Sequence, residues 1–386
     1  MAIASRGAAE LSDDVLGDFM DVADSLLGRE LRVGQALPAQ FNEEASVDTI
    51  RHYAFGVSDL NPLWSNEEYC RGARFGAIVA PPTFPYSVTL PSVAMFQDEL
   101  IRFSRDRNVL WAVLYGGTAW EFLQPIVAGS RLHATARLTG VKLKKSRTAG
   151  RLIVLTGEVR YWSQQNELVA KATCNQIRYL ASQAEPDRTA GLQGRDGPRI
   201  NNAASLPSPE ELAELASRRG PAPLYWDEVN AGDSLPDVHK GVFRVTDMIR
   251  WIGGTYGPPM TSAIDGPKGE TGSPGAGNPA TEHLEPALAA ASGLPGPYDN
   301  GPLRGGWLSQ VVTDWCGDWG DLMRLDYRLS MLNIVGDTNI AKGAVRAKHP
   351  GTDAGSGTVE VDVWIENDWG HHSAYGSAVV RLPLRD

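Results

Sequence analysis

The order of predicted elements along the chain repeats once, and this repetition limits the possible folds. In each half a helix and a loop precede a longer helix and four strand-like segments, which span residues 108–180 and 322–384. Helical periodicity predicts an opening helix over residues 12–27, capped by Ser12, and the long helix of the first half over about residues 83–104. A long helix followed by hairpin-connected strands favours an antiparallel sheet curled around that helix. The sequence therefore predicts an α+β fold built from two copies of one unit.

Composition marks the boundary between the two copies. Residues 183–222 are rich in Asp, Arg, Gly, Asn, Ser and Pro, which is typical of a linker. Within this linker, Ser208 stands at the N-cap of a predicted helix with Glu211 at its capping-box position. We therefore expect an N-terminal unit over residues 1–182, a linker with a crossover helix over 183–222, and a C-terminal unit over 223–386.

Composition and charge exclude several classes of function. The 386 residues are 42% hydrophobic and 21% charged, as in a soluble globular protein with an ample core. The net charge of -10 argues against a nucleic-acid partner, because such a protein needs a basic face. No apolar run is long enough for a membrane span and the first residues lack a signal-peptide core, so we expect a cytoplasmic protein. The three cysteines lack CxxC spacing, which predicts neither disulfides nor a metal site.

Three stretches of the sequence resemble a known family. The segment SDLNPLWSNEEYCRGARFGAIVAPPTF, which begins at Ser58, resembles the signature loop of MaoC-like hotdog dehydratases, a family that includes (R)-specific enoyl-CoA hydratases. GPLRGGWLSQVVTDWCGDWGDL and NIVGDTNIAKGAV resemble the second repeat of the tandem form of that family. The resemblance implies a double hotdog fold with two antiparallel sheets, each wrapped around a long helix. It also implies an acyl-CoA or acyl-carrier thioester as ligand and no cofactor.

The family's chemistry needs particular residues, and the first half lacks two of them. In the family an Asp and a His five residues later orient a water molecule, and a backbone N–H at the start of the long helix polarises the thioester carbonyl. Here Asp59 keeps the Asp position, but Trp64 replaces the His and cannot exchange a proton. Pro82 stands at the donor position and has no N–H. The resemblance implies that this half holds substrate through Asp59, Asn61 and Trp64, although an Asp at such a position is more often a turn or cap carboxylate.

The second half retains the groups that the first half has lost. His283 stands at the His position and Gly301 at the donor position, with the same interval of eighteen residues that separates Trp64 from Pro82. The resemblance implies that His283 is the acid/base and that the Gly301 N–H binds the thioester oxygen. The Asp position holds Asn278, which could orient an imidazole but cannot stabilise an imidazolium with a full charge.

Two further features of the second half bear on substrate binding. The glycine-rich run over residues 265–277 lies where a short loop normally joins the first helix to the His. It is either a lid that carries Asp265 or Glu270 back to His283 as a substitute carboxylate, or a surface loop without a catalytic role. Arg304 follows Gly301 by one helical turn and is a candidate for binding a substrate phosphate or carboxylate.

Two classes of function remain open. The first, which the combination of His283 and Gly301 favours, is a hydratase or dehydratase that interconverts 2-enoyl and 3-hydroxyacyl thioesters. The second, which the missing aspartate favours, is a degenerate acyl-CoA-binding or scaffold subunit that pairs with an active hydratase. A thioesterase is a weaker third hypothesis, because no carboxylate is evidently placed for hydrolysis. Either a homodimer or pairing with another hotdog chain is compatible with the sequence, as is a monomer.

Overall fold

The computed structural model describes residues 2–38, 40–109, 111–146, 150–180, 218–255, 279–291, 294–351 and 355–385. Four sequence-based predictions lie outside these described residues. They concern the crossover helix that follows Ser208, the carboxylates of Asp265 and Glu270 on the glycine-rich run, and the amide of Asn278.

All eight predicted strand segments are confirmed, and three short strands accompany them. In chain order the strands are β1 (Leu31–Arg32), β2 (Glu44–Ala45), β3 (Trp111–Phe122), β4 (Ser130–Ser146), β5 (Gly150–Ser163), β6 (Leu168–Leu180), β7 (Val238–Val242), β8 (Asp321–Leu329), β9 (Thr338–Pro350), β10 (Ser356–Asn367) and β11 (His372–Pro383).

The strands of both halves belong to one continuous sheet. Over the described ranges the order is β1-β4-β5-β6-β3-β8-β11-β10-β9-β7, with β2 paired to β4. Every one of these pairings is antiparallel, including the pairing of β3 with β8, in which residues 117–121 lie opposite residues 328–324. The two halves therefore follow the same strand order outward from a central seam, as the repeated sequence predicted.

Eight α-helices accompany this sheet in the part of the chain that the structure describes. They are α1 (Ala2–Ser25), α2 (Val47–Gly56), α3 (Glu67–Gly72), α4 (Asp98–Asp106), α5 (Val245–Thr255), α6 (Pro279–Leu284), α7 (Pro286–Ala291) and α8 (Gly301–Cys316). Helix α1 begins well before Ser12, so the predicted N-cap was wrong. The Ala-rich residues that precede Ser12 have high helix propensity and extend the helix toward the N-terminus. Among the described residues, none of the helices combines the length and apolar character that a membrane crossing requires.

The long helix predicted over residues 83–104 does not form. This segment instead contains two 3-10 turns, Phe84–Ser87 and Pro91–Met95, followed by α4. Pro85 and Pro91 each lie at the start of a 3-10 turn, where they remove a backbone donor and disfavour the helical conformation of the preceding residue. In the second half α8 runs without interruption, and its residues from Pro302 to Cys316 are buried. Only the second half therefore has the long central helix of its unit.

Helices α2 and α5 pack against each other at equivalent places in the two halves. A Cβ atom added to Gly254 would collide with the carbonyl oxygen of His52, and one added to Gly56 would lie 3.1 Å from the carbonyl oxygen of Arg250. The aromatic rings of Tyr53 and Trp251 lie 6.0 Å apart in an edge-to-face arrangement beside this contact. The close approach of the two helices therefore depends on glycine at the crossing point.

This packing predicts opposite effects for two neighbouring substitutions. Gly254→Ala should lower the free energy of unfolding by about 2 kcal/mol, because the new methyl group meets the rigid backbone of α2. Gly253→Ala is the matched control, since nothing lies within 4 Å of its Cβ position, and it should raise stability by up to about 1 kcal/mol through helix propensity. Urea unfolding of both variants tests this, and equal effects would contradict the close packing.

Candidate active site

The two halves align in the structure as the sequence spacing predicted. Val79 forms an isolated antiparallel bridge with Val127 in the first half, and Tyr298 forms one with Ile334 in the second. Val79 follows Trp64 by the same number of residues as Tyr298 follows His283. Trp64 and His283 therefore stand at equivalent positions of the two loops, and each loop leads to the start of its central segment.

His283 lies at the C-terminal end of α6 with its ring buried against Tyr298. Its Nδ1 atom is 2.7 Å from the carbonyl oxygen of Tyr298, and the centroids of the two rings are 4.3 Å apart at 58°. A carbonyl oxygen only accepts hydrogen bonds, so Nδ1 carries the proton in the neutral ring. The Nε2 atom of the neutral imidazole then has a free lone pair and can accept a proton.

Burial sets the protonation state of this ring. Desolvation lowers the pKa of His283 below its usual 6.5, and this effect outweighs the hydrogen bond to Tyr298 and the negative charges of Asp299 and Glu282. The positive charge of Arg304 lowers the pKa further. His283 is therefore neutral at pH 7 and suited to act as a base.

The start of α8 offers a backbone donor close to Tyr298. Helix α8 begins at Gly301, whose N–H makes no hydrogen bond within the described residues. Pro302 has no N–H, and the N–H of Leu303 is used by the carbonyl oxygen of Asn300 at 3.0 Å. The N-terminal end of a helix also favours negative charge. The Gly301 N–H therefore has no acceptor among the described residues, and its predicted role as the oxyanion donor remains a prediction.

Gly301 also lies where the two halves meet. A Cβ atom at this position would be 2.5 Å from Cδ1 of Leu329 and 3.1 Å from Cδ1 of Tyr115. Tyr115 belongs to β3 of the first half, whereas Leu329 belongs to β8 of the second. The candidate site is thus enclosed by side chains from both repeats.

Arg304 does not have the role that its sequence position suggested. Its side chain is buried, and its Nε and Nη2 atoms each donate to a carboxylate oxygen of Asp299 at 2.6 Å. Its Nη1 atom donates to the carbonyl oxygens of Met331 and Ser373 at 2.5 and 2.6 Å. Asp299 also accepts from the side-chain amide of Asn333 at 2.9 Å. The predicted contact with a substrate phosphate or carboxylate is replaced by an internal ion pair, which fixes the loop before α8.

In the first half, Asp59, Asn61 and Trp64 are buried and serve the local loop. The Asp59 carboxylate accepts from the backbone N–H of Asn61 at 3.0 Å, and the Asn61 side chain accepts from the N–H of Leu63 at 3.0 Å. Arg218 donates to the same Asn61 oxygen. These are the bonds of a turn and a helix cap, which is the alternative that the sequence left open for Asp59. The predicted contacts of Asp59, Asn61 and Trp64 with substrate remain predictions.

Residues of the second half seal this loop, and the sequence analysis missed them. The Nζ atom of Lys240 on β7 donates to the carbonyl oxygens of Val57 and Ser58 at 3.1 and 3.2 Å, and to the side-chain oxygen of Gln310. Gln310 in turn donates to Asp314 at 3.1 Å. An ammonium group has three donors, and these three contacts use them all. A signal was present in the sequence, since Gln310 and Asp314 lie one turn apart on the central helix, where both can face the same partner.

The cluster formed by Asp59, Lys240, Gln310 and Asp314 has shifted protonation equilibria. Burial raises the pKa of Asp59 and raises that of Asp314 to about 7, and the charge of Asp59 also raises the pKa of Asp314. Burial also lowers the pKa of Lys240 to about 8, although the two nearby carboxylates oppose this shift. Lys240 belongs to the second half and donates to carbonyl oxygens of a first-half loop. The cluster therefore links the two halves.

The raised pKa of Asp314 predicts a pH-dependent stability. In the folded state Asp314 keeps its proton up to about pH 7, whereas the unfolded chain releases it near 3.8, so the folded state loses stability as the pH rises between these values. Asp314→Asn removes this effect. The free energy of unfolding of this variant relative to wild type should rise by about 1–3 kcal/mol from about pH 5 to about pH 7 in urea titrations. Asp326→Asn, on the exposed side of β8, is the control and should show no such trend. If the difference in unfolding free energy between Asp314→Asn and wild type did not change with pH, it would contradict the raised pKa of Asp314.

Known proteins resemble this chain both in sequence and in fold. Residues 32–172 match the family model described as the FAS1-like dehydratase domain region. A UPF0336 protein of Clavibacter michiganensis is 31% identical over 111 residues, which cover 28% of this chain and 70% of the relative. A solved structure of a MaoC-like dehydratase is 22% identical, with a TM-score of 0.63 over 94% of this chain and 100% of that chain. A Mycobacterium tuberculosis protein described as a double hotdog is 15% identical, with a TM-score of 0.51 over 94% and 97% of the two chains.

The sequence match and the fold agree with the two repeats and the continuous sheet described above. The chain belongs to the UPF0336 family and has the double hotdog fold of the MaoC-like dehydratases.

Proposed function

We propose that this chain is a hydratase/dehydratase that interconverts a 2-enoyl thioester and a 3-hydroxyacyl thioester, with its active centre in the C-terminal half. One observation carries the proposal: a neutral histidine bonds through Nδ1 to the carbonyl oxygen of Tyr298, three residues before a helix whose first N–H makes no hydrogen bond within the described residues. The match of residues 32–172 to a dehydratase region supports the same class of reaction. The thioester is that of CoA or of an acyl carrier protein, and the reaction needs no cofactor.

His283 and the Gly301 N–H account for both stages of hydration, which are the addition of water at the β-carbon and the protonation of the α-carbon. His283 takes a proton from water through Nε2 while the water oxygen bonds to the β-carbon of the enoyl thioester. The electron pair of the double bond moves toward the thioester carbonyl, whose oxygen becomes an oxyanion bound by the Gly301 N–H. The imidazolium of His283 then protonates the α-carbon, so one water is added and the base is regenerated. Dehydration is the reverse of these steps.

Two residues of this chain are candidates for the role that an aspartate has in the family. Asn278 or Asp265 would orient His283 or its water, and both lie outside the described residues. The first half would hold the acyl chain, with Asp59, Asn61 and Trp64 on its side of the seam. A homodimer or pairing with another hotdog chain would be compatible with this arrangement.

A second function is favoured by one specific observation. Within the described residues the Nδ1 atom of His283 bonds to a neutral backbone carbonyl and not to a carboxylate. Such a histidine is a weaker base, because its imidazolium is less stabilised. On this alternative the chain binds an acyl thioester or supports an active hydratase without turning over substrate itself.

Replacement of His283 tests the proposed reaction. Hydration of crotonyl-CoA and of longer or branched 2-enoyl-CoA thioesters, followed by the loss of enoyl absorbance, should be measurable for wild type. It should fall at least about a hundredfold in His283→Ala, because the variant lacks the general base. His371→Ala, at a hairpin turn between β10 and β11, is the control and should retain full activity. A wild-type protein that binds these thioesters but converts none of them would favour the binding subunit.

The pH dependence of the rate gives an independent test. Hydration requires neutral His283, and burial lowers its pKa, so kcat should stay constant as the pH falls from about 8 to about 6.5 and decrease only below that value. The measurement is kcat for crotonyl-CoA across this range at constant ionic strength. A rate that already falls by half at about pH 7 would show that a different group titrates, or that His283 is not desolvated.

A further inference from the structure

We propose that Glu282 and Tyr298 form a positioning pair for His283, taking over part of the role that an aspartate has in related sites. This inference rests on the proposed function, since it assigns the groups that hold the proposed base. The pair consists of Glu282, which directly precedes His283 on α6, and Tyr298, which lies three residues before Gly301. The sequence analysis singled out neither Glu282 nor Tyr298.

Tyr298 holds the imidazole at two points. Its carbonyl oxygen accepts the Nδ1 proton of His283 at 2.7 Å, and its ring packs on the imidazole with the centroids 4.3 Å apart. The first contact selects the tautomer with a free Nε2 atom, and the second restricts rotation of the ring. The orientation of the base therefore depends on where Tyr298 is held.

Tyr298 is itself fixed from both sides. Its hydroxyl group donates to Oε2 of Glu282 at 3.0 Å, which closes a loop of contacts through Glu282, His283 and Tyr298. Its backbone pairs with Ile334, and the next residue, Asp299, is held by the buried ion pair with Arg304. The phenol ring therefore cannot move without breaking the bond to Glu282. These contacts hold the carbonyl oxygen of Tyr298, which accepts the Nδ1 proton of His283, in a fixed position.

Glu282 also supplies negative charge near the ring. Its carboxylate and that of Asp299 both raise the pKa of His283, against burial and against the positive charge of Arg304. Asp299 is also paired with Arg304, so Glu282 and Asp299 act on the imidazolium from different surroundings. A carboxylate that acts through space in this way favours the protonated intermediate of the proposed reaction. Glu282 is thus a positioning residue, because its described contact reaches His283 only through Tyr298.

Three variants separate the mechanical effect of the pair from its charge. Tyr298→Phe keeps the ring and the carbonyl but removes the bond to Glu282, and should lower kcat for 2-enoyl-CoA hydration about tenfold with KM changed by less than about twofold. Glu282→Gln keeps an oxygen that can accept from Tyr298 but removes the charge, so the acid limb of the kcat profile should move to lower pH. Glu282→Ala should show both effects. Glu285→Gln, an exposed residue just beyond α6, makes the same charge change and should match wild type.

A spectroscopic measurement makes the inference independent of turnover. The ring nitrogen shifts of His283, assigned by their absence in His283→Ala, report its tautomer and its pKa. Glu282→Gln should lower that pKa, and Tyr298→Phe should mix the two tautomers, even if wild type converts no thioester. In that case the proposed function fails while the positioning pair stands. Unchanged shifts and unchanged kcat in all three variants would overturn the pair, whether or not the wild-type enzyme is active.

Discussion

The antiparallel pairing of β3 with β8 is the contact on which the rest of the structure depends. It joins two half-sheets that would otherwise each expose an unpaired edge strand to solvent. Beneath this seam the hydroxyl groups of Tyr86 and Tyr327 lie 2.7 Å apart, and the Trp120 indole donates to Tyr86 at 3.0 Å. The same seam places Tyr115 of the first half against the start of α8 in the second. Side chains of both halves therefore contact the start of α8, although the polar groups of the candidate site come from the second half.

The two halves have the same strand order but differ in the structure of the central segment and in the polar groups of the loop that precedes it. In the first half prolines divide the central segment into short turns, so no long helix presents a free N–H there. Its loop is closed by hydrogen bonds from Lys240, and the buried carboxyl groups of Asp59 and Asp314 lie close to that ammonium group. The second half keeps an uninterrupted helix, a histidine and a free N–H at Gly301. The difference between the two central segments therefore arises from local sequence within a common fold.

Local patterns predicted much of this arrangement, because alternation and spacing are properties of short segments. The strands and the equivalence of Trp64 with His283 followed from the sequence and are confirmed. The helix over residues 83–104 was predicted wrongly because apolar periodicity was given more weight than Pro85 and Pro91. Arg304 was assigned to a ligand because a guanidinium near a helix start suits an anion. Its actual partner, Asp299, is close in sequence, but the carbonyl groups that complete its shell come from distant strands.

The sequence by itself determined the repeat, the strand segments and the equal interval between Trp64 or His283 and the following strand bridge, since each depends on residues within one element or on a fixed interval. Tertiary structure alone decided which side chains meet although they are far apart in the sequence. Lys240 reaches a loop of the other half, Arg304 is neutralised inside the protein, and Tyr298 brings Glu282 and His283 into one network. These contacts depend on how separate segments pack, because burial and distance set both the partner and the protonation state of a charged group. No local pattern encodes such a distance.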